Sequence, residues 1–377
     1  NIAEFFPQLE LAYNNSANMI SWCRTIYRYD RSNKKEGVEE GLHEYPNPNF
    51  GKPIPPYRKG FRLFSESHLP EKITVFGVAQ RNQDIFNADE LSDILGRFVI
   101  TRTFEEVSGK DIKRIHQIPV RFTASERFVY RKAIEEFEKM RSNYFSSTGN
   151  LRKDAMMRLI QQITLLLRIS AAPNTVHEYI GGTPAKIVKV LNMLDDMHDE
   201  IVAIGVRHKI VVNAYAEAIR ERFPDRPLFV VTGSTTTLAA RRKLRKTLRE
   251  SKNGILLCTQ QSLPSSVNFE FVDNVIIPEL HYNNSRMSQF YMRFIRYNST
   301  REKNIYFVTY LGSIESNQMQ MVLAKEKLNL FMRGQDTDLD DIYERFGVAY
   351  DLLSVLMSRE MDENGKMYIK WGEQNIV

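Results

Sequence analysis

From residue 184 onward the chain alternates two patterns. Short unbroken apolar runs at Ile201–Val206, Leu228–Thr232, Gly254–Cys258, Val275–Ile277 and Ile305–Tyr310 read as strands buried on both faces. Between them lie stretches whose apolar residues recur every three or four positions: Ala185–Met197, Val211–Phe223, Leu238–Ser251, Ser285–Tyr297 and a last one from Ile314 to Phe331. These read as helices. Strands alternating with helices predict a parallel sheet covered on both sides, with ligands at the carboxyl ends of the strands.

Upstream the pattern is different. Ser125 and Glu126 mark a helix start, and the stretch to Arg141 carries apolar residues at Phe128, Ala133, Phe137 and Met140. A second helix is expected from Arg152 to Ile169, so the two together form a helical insertion. Residues 1–120 read as irregular α/β, with a helical opening over Ile2–Tyr27, a Pro-rich loop over Arg31–Arg58, a helix at Ala88–Leu95 and strands at Arg97–Thr103 and His116–Phe122. Expected boundaries are 1–120, 121–174 for the insertion, 175–333 for the regular α/β part and 334–377 for an appendage.

With 377 residues the chain has room for two or three domains, and no apolar run reaches the ~20 residues that cross a bilayer. Nothing resembles a secretory leader, and the two cysteines, Cys23 and Cys258, are too far apart in sequence for a disulfide framework or a CxxC metal site. Cytosol, or nucleus in a eukaryote, is the default. The net charge of +6 is unevenly spread, because residues 334–377 carry ten acids and only four bases. A basic body with an acidic tail favours a polyanionic partner.

The sharpest group of residues is Gln289-Phe-Tyr-Met-Arg293-Phe-Ile-Arg296, where positions 289, 293 and 296 share one face of the expected helix. Two guanidinium groups near strand ends suit a polyphosphate, because each is permanently charged and presents a planar donor fork to phosphate oxygens. Arg241-Arg-Lys-Leu-Arg-Lys-Thr-Leu-Arg249 places six bases in nine residues around an Ala240, Leu244, Leu248 stripe. That helix is expected to pack by the stripe and to present Arg241, Arg242 and Arg245 to nucleic-acid phosphates, or simply to solvent. Lys186, Lys189, Arg207, His208 and Lys209 are candidates to extend the same surface. Tyr130, Phe137 and Tyr144 read as core, and the seven dispersed histidines contain no HxH or HxxxH pair.

Q-x-x-x-R-x-x-R after a strand and an Asn-containing loop resembles motif six of superfamily II helicases and translocases. Other segments agree in order: Val231-Thr-Gly-Ser-Thr235, then Leu256-Leu-Cys-Thr259 with Ser265-Ser-Val-Asn268 as motif five, then Phe307-Val-Thr-Tyr-Leu-Gly-Ser-Ile-Glu315. The likeness is greatest to the Swi/Snf-like branch, where Phe98–Val107 resembles the exit from a first lobe and Leu165–Pro173 the end of a helical protrusion. The resemblance implies an α/β, RecA-like, doubly wound second lobe, with an α-helical protrusion and the remnant of a first RecA-like lobe before it. It implies DNA as partner, duplex or single strand, with RNA left open and no membrane, and ATP with Mg²⁺ as cofactors. By the same resemblance, Arg293 and Arg296 are arginine fingers, Gln289 and Asn268 face the nucleotide, and Thr259 and Ser265 lie on the nucleic-acid track.

Two residues depart from the family pattern: Met292 stands where a small residue is usual, and Ser266 where glycine is. Neither G-x-x-x-x-G-K-[ST] nor D-E-x-[HD] occurs in the chain. Gly181-Gly-Thr-Pro184 imitates a family motif but stands after the protrusion, not before it. The expectation is therefore the carboxyl-terminal part of a longer motor, whose missing first-lobe segment holds most of the nucleotide, and which is inactive as an ATPase alone. A non-catalytic nucleic-acid-binding or regulatory module with the same lobe fold is the alternative.

Overall fold

A computed structural model describes residues 5–30, 39–73, 79–81, 85–97, 99–100, 102, 104–109, 112–147, 149–233, 237–263, 268–281, 284–315, 360–361 and 367–368. The chain forms two compact units, residues 1–102 with 326–350 and residues 103–325 with 351–377.

The first unit runs α1 (Phe6–Ala12), β1 (Thr25–Asp30), β2 (Gly41–Pro46), α2 (Tyr57–His68), β3 (Glu71–Ile73), β4 (Ala79–Arg81) and α3 (Ala88–Gly96). Its described strands pair antiparallel, β1 with β2 and β3 with β4. The helical opening is shorter than its composition suggests. α1 stops before Asn14, which takes the left-handed conformation at φ 60, and Thr25–Tyr27 belong to a strand. Val99 and Ile100, expected in a strand, lie outside regular structure.

His68, in the last turn of α2, is buried. Its Nδ1 donates to the Phe86 carbonyl at 2.9 Å, which leaves Nε2 to accept the Trp22 indole N–H at 3.1 Å, with the Cys23 sulfur 3.6 Å away. Burial lowers the His68 pKa to about 4 and raises the Cys23 thiol to about 12. Both groups are neutral at pH 7 and belong to the packing.

The second unit contains α4 (Phe104–Ser108), β5 (Lys113–Val120), α5 (Ala124–Ser146), α6 (Gly149–Ala171), α7 (Ala185–Asp196), β6 (Val202–Val206), α8 (Lys209–Arg222), β7 (Leu228–Val231), α9 (Leu238–Glu250), β8 (Ile255–Thr259), β9 (Asn274–Ile277), α10 (Asn284–Tyr291) and β10 (Lys303–Tyr310). A small antiparallel pair, β11 (Glu360–Met361) with β12 (Met367–Tyr368), belongs to the same unit. Six strands form one all-parallel sheet in the order β5-β10-β9-β6-β8-β7. This is the expected doubly wound α/β arrangement. β5 falls before the boundary drawn at 120, yet it pairs along its whole length with β10, from Lys113–Lys303 to Val120–Tyr310. The strand Lys113–Val120 therefore belongs to this sheet, and the second unit begins at residue 103.

Alternation along the strands sorts the core into two layers. Val202, Ile204 and Val206 of β6, with Ile255 and Leu257, face the layer shared with α7, α8 and the helical insertion. Ala203, Leu256 and Cys258 face the opposite layer, with Leu248 of α9 and Phe290 and Phe294. In the insertion, α5 buries Val129, Tyr130, Ala133 and Phe137 against Leu159, Ile163 and Leu166 of α6. Phe128, expected on that stripe, is 67% exposed, whereas Tyr130, Phe137 and Tyr144 are core as expected.

One polar network ties the insertion to the lobe. Thr123 and Glu126 form a reciprocal cap at the start of α5. The other Glu126 oxygen accepts the Ala185 amide at 2.6 Å and the Tyr310 hydroxyl at 2.8 Å. Lys186, a candidate for the basic surface, is fully buried in this network. Its Nζ bonds both oxygens of Glu315, at 2.7 and 2.6 Å, and the Pro278 carbonyl at 3.1 Å. The i, i+3, i+4 pattern that marks α7 as amphipathic puts Lys186 on the inward side beside Ile187 and Val190, and its partner lies 129 residues away.

Candidate functional site

α10 is held on the sheet by an absence. β6 has glycine at position 205, and a Cβ there would lie 2.3 Å from the Phe290 ring. That ring can therefore lie close over the strand, and the turn that follows α10 lies near Cys258 of β8. The helix is shorter than its pattern suggests. It ends at Tyr291, and the Arg293 and Phe294 amides turn back to the Phe290 and Tyr291 carbonyls at 3.1 Å each. Gln289, Arg293 and Arg296 thus do not share one helix: Gln289 is exposed on α10, Arg293 sits in the turn and Arg296 lies beyond it.

The two arginines differ in how they are held. The Arg293 carbonyl accepts the Phe269 amide at 3.1 Å, which anchors the turn to the segment before β9. Its side-chain Nε and Nη1 are buried and find no acceptor. Burial lowers the Arg293 pKa, the Arg296 charge lowers it further, and the nearby Cys258 opposes both. Arg296 is fixed by a reciprocal pair with Ser299 through its backbone, and its Nε donates to Asn268 Oδ1 at 2.8 Å. Among the described residues neither guanidinium forms an ion pair. A desolvated cation beside a second cation is a place that favours an anion.

Asn268 is a junction. Its side chain accepts from Arg296, and its backbone carbonyl accepts from Arg245 Nε of α9 at 2.6 Å. Arg245 also meets Glu270 at 2.5 Å and lies 5.5 Å from the Phe271 ring centre. Arg242, Lys243, Lys246 and Arg249 are exposed on α9, with Leu248 buried, Leu244 half-buried and Ala240 exposed. The side chain of Arg241, and all of Ser265 and Ser266, lie outside the described residues. Thr259 is buried, with its hydroxyl hydrogen-bonded to Ser262. Ser262 in turn lies close to Gly233, so the loops after β7 and β8 are neighbours.

A second polar group sits between β6 and β9, where chain connections leave in opposite directions, the crevice in which wound sheets bind ligands. Glu279 is buried there and accepts the backbone amides of Arg207 at 2.6 Å and His208 at 3.1 Å, together with the His208 ring Nδ1. Gln260 donates to the Gly205 and Glu279 carbonyls at 3.2 and 2.7 Å. Arg207 and His208 read from sequence as surface bases. Glu279 was not singled out at all, although an acid directly after the apolar run Val275–Ile277 is the available signal.

The geometry defines an α/β lobe in which an arginine turn, Arg293 to Arg296, packs against the segment that enters β9. Solved structures similar to the chain include the Sulfolobus solfataricus SWI2/SNF2 ATPase core in complex with dsDNA, at 16% identity over 68% of this chain and 55% of that one, TM-score 0.48. The Sulfolobus solfataricus SWI2/SNF2 ATPase C-terminal domain is similar at 12% identity over 62% and 97%, TM-score 0.45. The C-terminal part of the Fun30 ATPase domain is similar at 15% identity over 60% and 91%, TM-score 0.42. No protein-family model matches the chain, and no curated protein sequence does. Among the described residues no helix is long and apolar enough to cross a membrane.

Proposed function

We propose that the chain is the carboxyl-terminal portion of an ATP-dependent DNA translocase or helicase, and that Arg293 and Arg296 are its arginine fingers. One observation carries this reading. Arg293 is drawn partly out of water with two buried donors unmet, beside a second arginine, and among the described residues no carboxylate answers it. Such an arrangement costs stability unless an anion arrives.

The donor set fits the phosphate end of ATP. When bound, ATP supplies the phosphoryl group that is transferred to water. Arg293 would meet a phosphate through its guanidinium, whose Nε and Nη1 are unmet, and Arg296, oriented by Asn268, would add a second positive charge. Gln289, exposed one turn earlier, is assigned to orient the same ligand. Mg²⁺ and the phosphate cradle are assigned to a first-lobe segment of the same polypeptide, since these 377 positions contain no P-loop sequence. Alone, this portion hydrolyses no ATP. The exposed face of α9 and the Thr259 loop supply part of the nucleic-acid track.

In the complete polypeptide, Arg293→Ala is expected to cut DNA-stimulated ATP hydrolysis by about 10³–10⁵-fold, the range for loss of an arginine finger. DNA binding is expected to persist. Unchanged turnover removes the finger assignment.

A further inference from the structure

The bases of α9 are not equivalent. Arg242, Lys243, Lys246 and Arg249 are exposed, and Lys246 pairs with Glu250 at 3.8 Å, both side chains being largely exposed. A pair of that kind is weak and readily exchanged. Arg245, on the same helix, is held from three sides. Its Nη2 donates to Glu270 at 2.5 Å, its Nε donates to the Asn268 carbonyl at 2.6 Å, and its guanidinium rests 5.5 Å from the centre of the Phe271 ring. Glu270 is itself only 16% exposed at its side chain, and its other oxygen, Oε2, is buried with no donor. Among the described residues the carboxylate therefore has one partner, and that partner is the central arginine of the basic run.

We propose that Glu270 is an internal competitor for phosphate, which withholds Arg245 from nucleic acid while its neighbours on α9 make contact. Carboxylate and phosphate compete for the same guanidinium fork, and a guanidinium already bridged to a partly buried carboxylate releases no DNA counterion. The inference rests on the reading of α9 as a DNA face. Its consequence is numerical. The face registers one fewer phosphate contact than its bases suggest, and neutralising Glu270 restores that contact.

The test is duplex DNA binding by the 377-residue chain, followed by fluorescence anisotropy across a salt series, with the slope of log K against log[salt] as the readout. Each phosphate contact contributes about 0.9 to the slope. Glu270→Gln, which keeps shape and removes charge, is expected to steepen the slope by about 0.9 and to raise affinity. Arg245→Ala alone is expected to leave the slope unchanged, and Glu270→Gln with Arg245→Ala to return it to the parental value. A slope unmoved by Glu270→Gln, or flattened by Arg245→Ala alone, overturns the proposal. Arg242→Ala and Lys246→Ala separate this from the underlying reading. Each flattens the slope if α9 is the DNA face, and if neither does, that face is lost and the competitor with it.

Discussion

Lys186 and Arg293 are both cations drawn out of water within one unit, and the lobe treats them in opposite ways. Lys186 is fully buried, and Glu315 meets it with both oxygens while the Pro278 carbonyl takes a third bond. Burial lowers the Lys186 pKa and raises that of Glu315 to about 7, and in each case the partner opposes the shift. Arg293 is less buried, but two of its donors are unmet and the charge that most affects it is that of another arginine, Arg296. A cation answered from within holds the fold, here by joining α7 to the chain after β10. One left unanswered is, on the reading proposed above, held for an anion that comes from outside. His68, in the other unit, shows a third outcome, since it gives up its charge instead of finding a partner for it.

The largest effect belongs to the answered cation. Lys186→Met leaves Glu315 buried without its partner and is expected to cost about 3–5 kcal/mol in urea unfolding. Glu315→Leu added to it is expected to recover most of that loss, because two apolar side chains of similar size replace the pair. A double variant as unstable as the single one would show that shape, not charge, is what Lys186 contributes.

The neutralised base sharpens the comparison through pH. The folded-state pKa of His68, about 4, lies below its unfolded value of about 6.5, so above pH 6.5 neither state carries its proton. Below that, the unfolded chain binds a proton that the folded unit refuses, and stability falls as pH drops from about 6.5 to about 4, by about 3 kcal/mol in all. The slope is read from Trp22, stacked on His68, in urea titrations of the full chain at several pH values. His68→Gln is expected to remove this part of the slope, and an identical pH profile in the variant would contradict the assignment.

Much of the second unit was legible because a strand buried on both faces writes an unbroken apolar run, as in Val202–Val206, which lies between α7 and α8, and in Ile255–Thr259. The neighbour of β5 was not legible. Its half-buried edge pattern shows a strand, but its partner, β10, lies nearly 190 residues further on, and single-sequence periodicity carries no pairing information. The arginine turn was legible as two guanidinium groups at fixed spacing, but not as a turn, because α10 stops at Tyr291 through tertiary anchoring of the Arg293 carbonyl to Phe269. Lys186 was misplaced for a related reason. A lysine next to Ile187 reads as a surface base until a distant carboxylate is known to meet it.

The central claim is that Arg293 is kept at a cost, for a ligand. Arg293→Met removes the charge and keeps most of the apolar stem, so the most direct measurement is its unfolding free energy in urea with no nucleotide or nucleic acid present. The account predicts stability equal to or above that of the parent chain, because an unanswered, partly desolvated cation has been taken away. A loss of the size expected for Lys186→Met would mean that Arg293 is already satisfied within the fold, and it would no longer be available to serve as a finger.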